Sequence, residues 1–250
     1  MSQLFDYAMD IGEQMLISGA EVHRVEESIN RMCYALGAKR VDVFIITSSM
    51  VVTVYTQDDT AYTRTRRVTS MKFNIERLHK LNALSRQICE KDMTEEEIQL
   101  KLNDAINCKP FPALLEFISS AVIAGAFTLF FGGNISETVI SFFVGALVWL
   151  GLFFADKIIP NKIFGKFYAS AIATFLAYLT VRFGWAPSMD LIIIGNIMTL
   201  IPGIGLTNSI RDLFSGDSIA GILRMVDAML TALAIAAGYY LVAVLGGFFI

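Results

Sequence analysis

Asp190-Leu-Ile-Ile-Ile-Gly195-Asn-Ile-Met-Thr-Leu200-Ile-Pro-Gly-Ile-Gly205-Leu-Thr-Asn-Ser-Ile210-Arg-Asp-Leu-Phe-Ser215-Gly-Asp217 is the stretch on which the reading of the chain turns. It opens as an apolar helix suited to a membrane. It then sets Asn196 and Thr199 inside the apolar run, breaks at Pro202-Gly203, and continues through Gly205, Thr207, Asn208, Arg211 and Asp212. A helix interrupted at membrane depth frees amides and carbonyls that lipid cannot satisfy. Such interruptions commonly build substrate sites in secondary transporters. The plainer alternative is a helix that stops at Pro202 and enters a polar turn.

Charge divides the rest of the chain. The 250 residues are 55% hydrophobic with a net charge of -3, and mean hydropathy is +0.57. Residues 1–113 hold 14 of the 20 Lys/Arg and 16 of the 23 Asp/Glu. The balance speaks against nucleic acid as a partner. The boundary is expected at Lys109-Pro110-Phe111-Pro112, giving an α+β cytoplasmic domain over 1–110 and an all-α membrane domain over 111–250. The opening residues do not read as a signal peptide, which places the first half in the cytoplasm. Cys33, Cys89 and Cys108 lack metal-ligand spacing and are expected to be reduced. No cofactor is expected.

The first half predicts an amphipathic helix ending near Ser18-Gly19 and a second from Glu21 to Leu36, stopped at Gly37. A three-stranded antiparallel meander follows, its third strand alternating Thr and Arg on a solvated face. A helix runs from about Phe73 to Cys89. Thr94 and Glu97 then form a capping box that opens the last helix. His23, Glu26 or Glu27, and Ser48 could furnish a base and a nucleophile for a membrane-anchored hydrolase, but their spacing alone proves nothing.

In the second half, five apolar segments of membrane length are expected at about 113–131, 136–155, 166–182, 188–206 and 226–250. Lys157, Lys162 and Lys166 fall between the second and third. The positive-inside rule then gives a multi-pass protein of the cell (inner) membrane, N-terminus in and C-terminus out. Five helices make one half of an inverted-repeat transporter, so a second five-helix membrane subunit is expected, with homo-oligomerisation the other assembly. Charges at membrane depth are costly and tend to line pathways, whereas Glu137, Asp156 and Asp190 are read as interface charges in water. Glu116, Asp212 and Asp227 are the candidates to carry a coupling proton. Arg211 and Arg224 are the candidates to attract a carboxylate. Asn196, Thr199, Pro202, Gly203, Gly205, Thr207 and Asn208 complete the candidate substrate site. Gly125, Gly145, Gly151 and Ala171 are read as close helix contacts.

Gly19-Ala-Glu-Val-His-Arg-Val-Glu-Glu-Ser-Ile29 and Val41-Asp-Val-Phe-Ile-Ile-Thr-Ser-Ser49 resemble the N-terminal signature of the threonine/serine exporter family. Pro202-Gly203 with Leu206-Thr-Asn-Ser-Ile-Arg-Asp-Leu213 and Gly216-Asp217 resembles its membrane signature. In length and helix count the chain is most similar to the short, split members. The resemblance implies efflux of small hydrophilic metabolites, threonine and serine or dicarboxylates such as succinate, together with a separate small membrane protein that supplies the remaining helices. A regulatory subunit that senses a metabolite through the soluble half is the remaining reading.

Overall fold

A computed structural model describes residues 2–91, 93–109, 111–158 and 161–246. Pro110 of the expected boundary and residues 247–250 of the expected last span lie outside them. The chain forms two compact units. The first is Met1–Pro110 with Gly205–Met225, and the second is Phe111–Ile204 with Val226–Ile250.

In the first unit, helices α1 (Ser2–Ile17) and α2 (Val22–Ala35) precede strands β1 (Arg40–Ile46), β2 (Ser49–Tyr55) and β3 (Ala61–Arg67). The strands form an antiparallel sheet in the order β1-β2-β3, with Val43 opposite Val52 and Val52 opposite Arg64. Met50, Val52 and Val54 alternate into the core, as the period of a strand requires. They meet Ile11 and Met15 of α1, Val25, Ile29 and Met32 of α2, and Leu81 and Leu84 of α3 (Ile75–Glu90) in one apolar cluster. Helix α4 (Glu95–Ile106) starts on the expected capping box: Thr94 accepts from the Glu97 amide, and the Glu97 carboxylate accepts from the Thr94 amide. Gly37, at φ +94°, terminates α2.

The third strand is less solvated than its pattern suggests. Arg64 and Arg66 lie on the same sheet face as Val52 and Met50, and they pair with acids of α1. Arg64 reaches Asp6 at 2.8 Å, and Arg66 reaches Asp10 at 3.1 Å and Glu13 at 3.6 Å. The alternating threonines occupy the other face, where the Thr53 and Thr63 hydroxyls are 2.9 Å apart. The three cysteines are free, and burial pushes the Cys33 thiol up to about 12.

In the second unit, α5 (Ala113–Phe130), α6 (Ile135–Ile158), α7 (Lys162–Arg182) and α10 (Ser218–Leu245, which enters this unit at Val226) are long and apolar enough to cross a membrane. They are the four such helices among the described residues. The fifth expected span, 188–206, is not one helix. Its helical part α8 (Asp190–Ile197) has eight residues and stops five residues before Pro202. The cause is local. The Asn196 carbonyl accepts from both the amide and the hydroxyl of Thr199, and the Leu200 amide turns back to Ile197. These three-residue bonds tighten the end, and Pro202 cannot donate to restart the ladder. Helix α9 (Gly203–Phe214) then resumes.

Glycines let the second unit close. A β-carbon on Gly195 would lie 2.0 Å from Thr128 Oγ1, and one on Gly238 would lie 2.2 Å from the Phe167 carbonyl oxygen. Gly125, Gly145 and Gly151 also face neighbouring helices, within 3.2, 2.6 and 3.1 Å by the same measure. In a lipid medium such small-residue contacts bring backbones close enough to pack. Glu137, expected at an aqueous interface, is buried and closes a reciprocal cap with Asn134 at the start of α6.

Candidate functional site

The polar stretch after Pro202 forms one side of α9 and belongs to the first unit. Asn208 and Asp212 are four residues apart and share a face. Gly216, at φ +96°, ends α9, and the amides of Ser215, Gly216 and Asp217 return to Arg211, Leu213 and Asp212. Helix α10 begins at Ser218, eight residues before the expected span, which brings Arg224 beside α9. Gly221 permits this approach, since an added β-carbon would stand 2.9 Å from both the Leu213 amide nitrogen and the Ser209 carbonyl oxygen.

This corner grips the turn between α1 and α2. The Asn208 amide donates to the Gly19 carbonyl at 3.1 Å, and the Arg224 guanidinium donates to the Ala20 carbonyl at 2.7 Å. The Val22 amide donates to Asp212 Oδ1 at 3.0 Å. Arg211 pairs with Glu21 at 2.5 Å. Asp212 Oδ2 and Arg224 Nε form an ion pair at 3.3 Å whose geometry falls short of a hydrogen bond.

These contacts answer a specific need. The first amides of a helix and the last carbonyls have no partner within it. Glu21, at the N-cap position of α2, makes no side-chain cap. Asp212 supplies that cap from 190 residues away and places its charge at the helix N-terminus, where the helix dipole favours it. Asn208 and Arg224 supply donors to the carbonyls just past α1. Asp212 is fully buried and Arg224 is 6% exposed. Burial lifts the Asp212 carboxyl above its ordinary range, while Arg224 and the Val22 amide pull it back down.

Glu26, one turn further along α2, is half-buried and accepts from the Ile45 amide at 3.0 Å. Burial and the nearby Asp217 raise its pKa, with the Ile45 amide and His23 opposing. A carboxyl raised on folding binds its proton more tightly in the folded chain, so stability is lost as pH rises from the ordinary carboxylate range through the raised value. Glu26→Gln therefore flattens the decline in apparent Tm between pH 5 and pH 8. The effect is under about 1 kcal/mol, because half of the group faces water. Thermal scans of the full chain at both pH values measure it.

The other candidates lie in the second unit. Asn196 is fully buried and donates to Ser141 Oγ and to the Ile192 carbonyl, both at 2.8 Å. Thr128 completes this network with a 2.6 Å bond to Ser141. Among the described residues Asn196 Oδ1 has no donor, and it faces Gly145. The Thr199 hydroxyl donates to the Asn196 carbonyl, Pro202 immediately precedes α9, and Gly203 is its first residue. Glu116 and Asp227 are exposed on their helices. In the first unit, Gly205 is half-buried and Thr207 exposed. The fold thus gathers Asn208, Arg211, Asp212 and Arg224 into one cluster and Asn196 and Thr199 into another. Sequence reasoning missed Glu21 and the Gly19–Val22 backbone as partners. It also missed Thr128 and Ser141, although hydroxyls inside apolar spans are a readable signal. The hydrolase constellation is not assembled by hydrogen bonds: Glu26 is engaged with Ile45, and nothing among the described residues bonds it to His23 or Ser48.

Residues 6–246 match the family described as "Putative threonine/serine exporter". The chain is 23% identical over 245 residues to the threonine/serine exporter of Corynebacterium glutamicum, an alignment covering 94% of this chain and 50% of that protein. It therefore spans about half the length of the curated relative it matches. No solved structure matches the chain.

Proposed function

The chain belongs to the threonine/serine exporter family, and on that premise we propose that it is one subunit of a secondary exporter of small hydrophilic metabolites. It is a multi-pass membrane protein of a transporter family. The substrates proposed are threonine and serine, or dicarboxylates such as succinate. The observation that carries the reading is the interruption between Ile197 and Gly203. An interrupted helix continuing an apolar run is the arrangement from which transporters build sites.

In this proposal α8 and the following turn make a fifth, discontinuous membrane segment, with the N-terminus inside and the C-terminus outside. Thr199 and the backbone at Pro202-Gly203 contact substrate, and Asn196 braces them from behind. In a separate step within the first unit, Arg211, whose side chain is 61% exposed, exchanges Glu21 for the carboxylate of incoming substrate, while Arg224 remains held by Asp212 and Ala20. Asp212 is the favoured proton carrier because it is buried and its carboxyl is raised. Asp227 and Glu116 are the alternatives. A second five-helix membrane subunit completes the exporter in this proposal.

Export of labelled threonine, serine and succinate is measured from cells carrying this chain, the second subunit, both, or neither. Efflux of at least one substrate is expected only with both. Robust efflux from this chain alone contradicts the two-subunit proposal, and no efflux in any arrangement contradicts export.

A further inference from the structure

Helices α2 and α3 of the first unit leave between them a groove of about 360 Å³. That size lies in the range of small-ligand pockets, roughly 300–1,000 Å³. Three arginines line it: Arg24 and Arg31 from α2, and Arg86 from α3. Arg31 is neutralised by Glu27 at 2.5 Å. Arg24 and Arg86 have no ion-pair or hydrogen-bond partner among the described residues. Glu90 supplies the remaining charge. Once the Arg31–Glu27 pair is set aside, two guanidiniums face one carboxylate.

We infer that this groove binds a small dicarboxylate, with one carboxylate on Arg24 and the other on Arg86. The guanidinium fork matches a carboxylate in two parallel bonds. Cys89 and the aliphatic stems of the arginines give the groove apolar wall between its charges. That wall suits a carbon skeleton with an anionic group at each end better than a compact inorganic anion. Glu90 adds a place for an ammonium, so an amino dicarboxylate such as aspartate fits as well. Helix α2 carries Arg24 a few residues from Val22, whose amide is held by Asp212. The groove and the grip on the α1–α2 turn thus share one helix.

The test is calorimetric titration of the purified full chain in detergent with succinate, aspartate, threonine and inorganic phosphate. Arg24 and Arg86 are exposed, so Arg24→Gln/Arg86→Gln removes charge without removing core. Succinate and aspartate are expected to bind the native chain. The double variant should bind them at least tenfold more weakly, and Arg67→Gln, on the exposed end of β3, should bind as the native chain does. Threonine and phosphate should bind at least tenfold more weakly than succinate. Absence of succinate binding, equal binding by the double variant, or threonine or phosphate binding as tightly as succinate would each overturn the assignment. Cellular efflux is read separately. Its absence with the native chain counts against export and leaves the binding result standing, whereas failed binding with efflux retained counts against the groove alone.

Discussion

Asp212→Ala is expected to destabilise the first unit by about 3–5 kcal/mol, because it strands the Arg224 guanidinium in a site where it is 6% exposed. The substitution also removes the acceptor of the Val22 amide and with it the cap of α2. The argument is about uncompensated charge, so it makes a second demand. Replacing both partners by apolar residues, as in Asp212→Leu/Arg224→Met, should recover most of the loss, since buried pairs contribute little over apolar isosteres. Asp212→Asn should cost less than Asp212→Ala, because its carbonyl can still accept from Val22. That makes it the cleaner variant for the proton-carrier proposal. Apparent Tm of the full chain gives the magnitude. Amide exchange at Val22 gives the location, with protection lost in the alanine variant. Equal loss in the single and double apolar variants would show that packing, not charge, dominates the corner.

Gly195→Leu is expected to abolish the packing of α8 on α5, and Gly195→Ala to cost at least about 1–3 kcal/mol. Two effects compete in the alanine variant. Alanine gains about 1 kcal/mol of helix propensity over glycine. Against that, its methyl would sit 2.0 Å from Thr128 Oγ1, 2.8 Å from the Ala124 carbonyl oxygen and 2.9 Å from the Thr128 amide nitrogen. Two of those three atoms are backbone, so no rotamer change relieves the clash and the helices must separate. Separation also pulls apart the Thr128–Ser141–Asn196 hydroxyl and amide network. Gly165→Ala is the control. Its nearest contacts would be the side chains of Leu152 and Asp156 on α6, both 3.8 Å away at ordinary van der Waals distance, so only the propensity gain remains and Tm should hold or rise slightly. A Gly195→Ala chain as stable as Gly165→Ala would refute the close approach of α5 and α8.

What the sequence made legible follows from the range of each interaction. The amphipathic periods of α1 and α2, the strand alternation of β2 and the Thr94–Glu97 box are local patterns, and the structure places them where those patterns indicate. The four long spans of α5, α6, α7 and α10 likewise follow from runs of apolar residues. Tertiary pairing was not legible. The Arg64 and Arg66 alternation reads as a wet strand until the acids of α1 stand opposite it. Glu137 reads as an interface charge until Asn134 folds back on it. The cap of α2 comes from a residue 190 positions away, so no window of sequence contains it. The early end of α8 depends on one threonine hydroxyl turning to the Asn196 carbonyl, a choice that composition does not fix. The polar residues after Pro202 were recognisable as a group, but their shared hold on the Gly19–Val22 turn requires the fold.

The break between α8 and α9 is tested most directly by substrate protection of a cysteine placed in it. Gly203→Cys suits the purpose, because an added β-carbon there meets nothing within 4 Å. The background carries Cys33→Ala, Cys89→Ser and Cys108→Ala, and the chain is produced with its second subunit in membrane vesicles. A water-soluble maleimide should label Gly203→Cys, and threonine, serine or succinate should slow the labelling severalfold. No labelling, or an identical rate with all three substrates, would contradict a transport pathway walled by this interruption.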